Sequence, residues 1–309
     1  MRVIVTGAAG FIGSHLANRL AEKGHQVFGL DNYEEAGGFL IDRRVSMIWS
    51  DIRKADQLSR TFCQIAPDVV EHHAAKIDPR ISLDDPISDA ETNYQGTVNV
   101  IQACRRVCAK MVFASSCAVY GNIQRMDEDS PCRPEAPYGI SKLAGEMAMR
   151  VLLVDTGGVA LRYPNVYGPA QHVRTTGVIP IFAHRMARNL PVTIFGNGIA
   201  TYQYLYIDDL LDLHERVLST ICDRTFDRFA VSNVQGIPCS VHDLVTHLKA
   251  LFPEWDERID IQPPRAGEQI LVTMSGASAK QLFGWRPATS LADGLARMAE
   301  AAKEAFDRG

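Results

Sequence analysis

The segment Val5–Leu16 reads "VTGAAGFIGSHL". It leaves an apolar run, "VIVT" (Val3–Thr6), and enters an amphipathic pattern, "FIGSHLANRLAEKG", that stops at Gly24. Gly7, Gly10 and Gly13 stand at the junction. There the chain must turn tightly and let a phosphate approach the backbone with no Cβ in the way. The helix that follows offers unpaired N–H groups and a partial positive charge to an anion. Glycine also serves plain turns, so the triplet alone is a weak pointer; its place between a strand and a helix makes it specific. A dinucleotide pyrophosphate is the expected ligand.

Outward from this segment, short apolar runs alternate with helical patterns. "QVFGLD", "MIWSD", "DVVEHHA", "KMVFASS" and "GVALRY" read as further strands, and "DQLSRTFCQIA", "ETNYQGTVNVIQACRRVC" and the segment after Pro137 as helices. This alternation predicts an α/β fold, a doubly wound parallel (Rossmann) sheet with helices on both faces. After about Pro164 prolines, glycines and aromatics become frequent, and helices are expected near 208–219, 241–252 and 291–306. Residues 1–165 are therefore read as the cofactor-binding domain and 166–309 mainly as a smaller substrate lobe, with segments returning to the first.

Bulk properties exclude other classes. A formal net charge of −4 supplies no basic field for nucleic acid or an anionic membrane. No apolar run reaches membrane-spanning length, and "MRVIVTG" does not read as a signal peptide. Seven scattered cysteines favour reduced thiols in a cytoplasmic protein, and their spacing offers no metal site.

Asp31 ends the second strand, where a carboxylate can accept both ribose hydroxyls of an adenosine and repel a 2′-phosphate, which favours NAD over NADP. Asp51 and Ile52 end the third strand at the same sheet edge, where adenine could rest. The fifth strand ends at Ser115 and Ser116, and Tyr138 and Lys142 lie one helical turn apart soon after. An ammonium and a positive nicotinamide ring would both lower the phenol pKa from about 10. Tyr138 could then take a hydroxyl proton as hydride leaves the same carbon, with Ser116 bonding the developing oxyanion and Lys142 the ribose. The expected cofactor contacts are Gly7, Gly10, Phe11, Ile12, Gly13, Asp31, Asn32, Asp51, Ile52, Ala74, Ala75, Tyr138 and Lys142. His72 and His73, at the end of the fourth strand, read as structural.

The glycine loop, Asp31, "FASSCAVYG", "YGISK" and "LRYPNVYGP" together resemble the extended short-chain dehydrogenase/reductase superfamily of NAD-dependent epimerases and dehydratases. The resemblance continues through "GVIPIF", "TIFGNG", "YIDDL" and "KQLFGWRP", and is strongest to compact bacterial and archaeal UDP-glucose 4-epimerases. It implies NAD as catalytic cofactor and epimerisation of a UDP-sugar through a transient 4-keto sugar that rotates in its pocket. It also implies a homodimer built on the helices 91–108 and 139–154. Ser116, Tyr138 and Lys142 match the family's catalytic set. Asn165 matches a diphosphate contact, Thr193 and Phe195 a uracil-holding backbone, and Arg265 a diphosphate clamp. Val272 matches a residue that gates the hexose C2 substituent, and its small size implies tolerance of N-acetylated sugars.

Cys117 and Ala118 stand where the dehydratase branch has its Asp-Glu pair, which argues against elimination of water. Other departures concern the substrate. Tyr202 and Gln203 replace a common Arg-Asp pair, Ser275 replaces an aspartate, and the loop after "YGPAQH" is short. A diphosphate would then rest on Arg265 with help from Arg174. The alternative left open is an NAD-dependent dehydrogenase or reductase on a free or other nucleotide-linked sugar; a non-catalytic NAD-binding regulator is disfavoured by the intact Ser116, Tyr138 and Lys142.

Overall fold

The computed structural model describes residues 1–34, 41–171, 177–223, 226, 228–263 and 273–307. Seven strands form one sheet: β1 (Arg2–Thr6), β2 (Gln26–Asp31), β3 (Ser46–Trp49), β4 (Val69–His72), β5 (Lys110–Ser116), β6 (Gly158–Tyr163) and β7 (Phe229–Asn233). Their order is β7-β6-β5-β4-β1-β2-β3, and every neighbouring pair runs parallel. Strands buried on both faces need apolar residues at successive positions rather than at alternate ones, and Val3, Ile4 and Val5 are all inaccessible to solvent.

Strand alternation sends these residues to two separate cores. Val3 and Val5 pack with Leu16 and Leu20 of the helix Phe11–Glu22 and with Leu210 and Val217 of the helix Ile207–Ile221. Ile4 faces the other way, toward Leu58 and Phe62 of Ala55–Ile65, Val100 and Ile101 of Gly96–Val107, and Met149 of Pro137–Leu152. The chain leaves β1 toward β2 and β3, then crosses back to β4. That reversal opens a crevice beyond the carboxyl ends of β1 and β4.

The later residues add a three-stranded sheet of Asn165–Tyr167, Thr201–Tyr206 and Ile237–Ser240, and a parallel pair of Val192–Phe195 with Ile259–Gln262. β7 comes from this later half of the chain yet completes the main sheet beside β6.

Two local expectations differ from the structure. The helix read over 91–108 is not uniform: Ala90–Gln95 is a π-helical stretch leading into Gly96–Val107. Inside it, Asn93 Nδ2 donates to Asp89 Oδ1 (2.7 Å) and to the Lys76 carbonyl (2.8 Å). The wider turn thus coincides with a side chain reaching across to another segment, and such turns often mark functional sites. The third strand ends at Trp49, short of Asp51. Asp51 sits in the turn beyond, its carboxylate held by Arg53 Nε and Nη2 at 2.7–3.0 Å.

Candidate active site

A cleft of about 1110 Å³ runs along the carboxyl ends of the strands. It exceeds the roughly 300–1,000 Å³ of ordinary small-ligand pockets, leaving room for a dinucleotide and a second ligand. At one end lies the glycine loop. Gly7 has φ +70°, and a Cβ there would sit 2.7 Å from the Ala74 backbone nitrogen. At Gly13 a Cβ would lie 2.1 Å from the Gly7 carbonyl oxygen. Loop, first helix and the chain beyond β4 therefore meet backbone against backbone. The Thr6 hydroxyl joins them, accepting from the N–H groups of His73 and Ala74, both at 3.2 Å. With no Cβ at these glycines, a phosphate group could approach the loop backbone closely.

Asp31 follows at the end of β2. Its two oxygens accept from the Ala9 N–H (2.9 Å) and the Tyr33 N–H (2.7 Å). Two backbone bonds fix its orientation, and a carboxylate has about four acceptor positions, so capacity toward a ribose remains.

At the other end Ser116, Tyr138 and Lys142 line the same cleft. Alternation along β5 separates the two serines: Ser115 Oγ donates to the buried Glu146 carboxylate, while Ser116 Oγ accepts from the Ala118 N–H at 3.2 Å. Tyr138 follows Pro137 in the first turn of its helix, where proline's missing N–H costs nothing, and its own N–H reaches Ser82 Oγ at 3.2 Å. One turn on, Lys142 Nζ donates to the Ala114 carbonyl at 2.8 Å and lies 5.8 Å from the centroid of the Tyr138 ring.

Burial adds an effect that the sequence reading of Tyr138 and Lys142 did not weigh. Burial pushes the Lys142 pKa down to about 8, against the raising charges of Asp89 and Glu146. Burial pushes the Tyr138 phenol above its ordinary range, and a Ser116 hydrogen bond offsets this only partly. Both groups have lost water, and Lys142 keeps two of its three N–H donors beyond its bond to the Ala114 carbonyl.

Around this set is a buried polar scaffold that the sequence reading missed. Arg162 of β6 forks onto Glu146, Nε to Oε1 at 3.0 Å and Nη2 to Oε2 at 2.7 Å, and its Nη1 donates to the Tyr120 hydroxyl at 2.6 Å. Ser141 donates to Asp89 Oδ2 at 2.6 Å. Partners separated by 16, 42 and 52 residues leave no periodic signal along the chain.

Of the residues singled out from the sequence, Phe11, Ile12, Asn32, Asp51, Ile52, Ala74, Ala75, Asn165, Phe195 and Tyr202 also line the cleft, with Gly7, Gly10, Gly13 and Asp31. Thr193 is not among the lining residues. Arg174, Arg265 and Val272 lie outside the described residues. Gln203, beside Tyr202, is structural: buried, it bridges the Met274 carbonyl (3.3 Å) and the Gly236 N–H (3.4 Å). His73, Tyr163 and Cys117 line the cleft without having been assigned a role there.

Comparison with known proteins places these features in context. Residues 3–227 match the model of the NAD dependent epimerase/dehydratase family. A UDP-glucose 4-epimerase of Mycolicibacterium smegmatis is 33% identical over 97% of this chain and 98% of its own length. A Thermotoga maritima UDP-glucose 4-epimerase, solved with UDP-glucose, superposes with a TM-score of 0.90 at 30% identity, covering 99% of this chain and 100% of that one. The Thermus thermophilus UDP-glucose 4-epimerase, solved in complex with NAD, gives 0.89 at 31% identity with the same coverage.

Proposed function

Because the chain belongs to the NAD dependent epimerase/dehydratase family, with NAD as its cofactor, we propose that it is a UDP-hexose 4-epimerase. The observation that carries this reading is the single cleft in which a glycine cradle and Asp31 lie at one end and Ser116, Tyr138 and Lys142 at the other, with Asn165, Phe195 and Tyr202 beside them. Relatives that share the whole fold are UDP-glucose 4-epimerases. Residues 1–165 would then hold the cofactor and 166–309 mainly the sugar nucleotide.

When bound, NAD supplies a hydride acceptor and a positive ring charge. Gly7, Gly10 and Gly13 hold its pyrophosphate and Asp31 its adenosine ribose. Tyr138 Oη takes the proton of the sugar hydroxyl and later returns it. Ser116 Oγ donates to the sugar oxygen as charge develops there. Lys142, held by the Ala114 carbonyl, adds a nearby positive charge and hydrogen bonds to ribose. Asn165 and the Phe195 backbone orient the nucleotide. With proton and hydride both returned, no net oxidation occurs.

Thermal unfolding of the NAD-loaded protein with UDP, dTDP, GDP, CDP and ADP tests the substrate class. UDP is expected to give the largest rise in Tm, and incubation with UDP-glucose to give its 4-epimer without accumulating NADH. Tyr202, a neutral residue on the cleft wall, favours one competing reading, a dehydrogenase on a sugar lacking the diphosphate. Indifference to all five nucleotides, with NADH accumulating on a free sugar, would establish that reading instead.

We further propose a cytoplasmic homodimer. All seven cysteines are free thiols, and no described helix is long and apolar enough to cross a membrane. Ile140, Met147, Val151 and Val154 are each more than half exposed along the helix Pro137–Leu152 and its end, flanked by exposed Ile87 and Tyr94. Such a stripe is what a second copy of the chain would bury. Sedimentation at micromolar concentration is expected to give a dimer, and Val151→Glu a monomer; a monomeric wild type would remove the proposal.

A further inference from the structure

Beside the cleft, Glu71 of β4, His73 just beyond it, and His214 of the helix Ile207–Ile221 converge in the core. Their side chains are 0%, 4% and 0% exposed. His214 Nδ1 lies 3.0 Å from Glu71 Oε2, and His73 Nε2 lies 3.6 Å from the same oxygen, beyond hydrogen-bond length. One donor atom from each residue falls within 4.8 Å of the others. Among the described residues, nothing hydrogen-bonds Glu71 Oε1 or either ring nitrogen of His73.

Buried polar groups without partners are rare, and an ion is one of the few explanations for a cluster of them. We propose that Glu71, His73 and His214 form a binding site for one divalent transition-metal ion of the zinc type. Two imidazoles and one carboxylate are a recurrent zinc set, with a fourth position left to a small ligand. Imidazole ligands select zinc, cobalt, nickel or iron over magnesium and calcium. Tetrahedral zinc at its usual bond lengths holds ligand atoms about 3.3 Å apart; the two separations to Glu71, 3.0 and 3.6 Å, bracket that value, and the two histidines lie within 4.8 Å of each other.

The surroundings of His214 support this assignment. A metal-bound histidine almost always donates its other ring N–H to an oxygen. His214 Nε2 lies 2.6 Å from the Tyr163 hydroxyl. With Nδ1 on the ion, Nε2–H donates to Tyr163, which itself lines the cleft. The ion thus sits one side chain away from the catalytic space and fixes both His214 and Tyr163. With Glu71 Oε2 and His73 Nε2 as ligands, Glu71 Oε1 and His73 Nδ1 are the orphaned atoms it does not answer.

The test uses the full chain with its NAD, purified without a metal-affinity step, and reads metal content by mass spectrometry and Co²⁺ binding by visible absorption. These readouts do not depend on the sugar substrate, so failure of the epimerase assignment leaves them intact. The expected result is about one zinc per chain, or a four-coordinate Co²⁺ band that saturates at about one equivalent, consistent with a three-ligand site. His73→Gln, Glu71→Gln and His214→Gln should each abolish it, and the exposed His242→Gln should not. Tyr163→Phe should weaken binding about 10- to 100-fold. His73 makes no described side-chain hydrogen bond, so its variant is expected to disturb folding least, and thermal unfolding of each variant checks this. A wild type that carries no zinc and gives no Co²⁺ band, or metal that survives His73→Gln in a folded protein, overturns the proposal and leaves a Glu71–His214 hydrogen-bonded pair with His73 packed beside it.

Discussion

Tyr138→Phe is expected to lower UDP-hexose epimerisation by roughly 10²–10⁴-fold, the usual worth of a positioned acid–base group. The ring is almost wholly buried and the substitution keeps it, so packing and NAD content should not change. What is lost is the oxygen that accepts the sugar's proton. The loss should fall on kcat, with KM little altered, because the hydroxyl acts where the proton moves and not where the nucleotide binds. Epimer formation over time, together with NAD released on denaturation, measures both. A variant within tenfold of wild type and fully loaded with NAD would show that another group carries the proton. Ser116→Ala should lose less: its Oγ accepts from the Ala118 N–H and only assists the charge that Tyr138 creates.

Arg162→Leu should produce the largest loss of stability. Glu146 and Arg162 are 4% and 5% exposed at their side chains and joined by two short bonds. Removing the cation leaves a buried carboxylate with the Ser115 hydroxyl as its described donor, and breaking such a buried pair costs about 3–5 kcal/mol. It also strips the Tyr120 hydroxyl of one donor. The double variant Glu146→Leu/Arg162→Leu should recover part of the loss, because neither partner then leaves an unpaired charge at this position. Urea unfolding of the NAD-loaded wild type, the single and the double variants decides this. A single variant that loses less than about 1 kcal/mol, in the range of exposed pairs, would mean that water reaches Glu146. The pair joins the helix carrying Tyr138 and Lys142 to β6, so a loosened pair should also reduce turnover.

What the sequence by itself determined lies where the needed geometry is local. A strand, a turn and a helix fit within Val5–Leu16, and the turn leaves no room for Cβ atoms at Gly7 and Gly13. Tyr138 and Lys142 are one helical turn apart, so a shared face needed no knowledge of the rest of the chain. Repeated apolar runs separated by helical periods specified a parallel sheet, because only strands covered on both faces tolerate such runs. Composition likewise showed a net charge of −4 and no apolar run of membrane-spanning length.

Only the tertiary structure decided where charge is buried and with what partner. Glu71 and His214 are 143 residues apart, and Tyr120 meets Asn233 across 113; pairings at that range leave no mark in either period. The π-helical stretch at Ala90–Gln95 coincides with Asn93 reaching Lys76, a contact that needs another segment of the chain beside it. The acidity of Tyr138 follows the same rule. In sequence it has a lysine beside it and reads as activated. In the fold it is enclosed, and burial pushes the phenol pKa up, an effect that its sequence neighbours do not reveal. An ionisable group answers to the water it loses as well as to its neighbours, and that loss is set by every element packed around it.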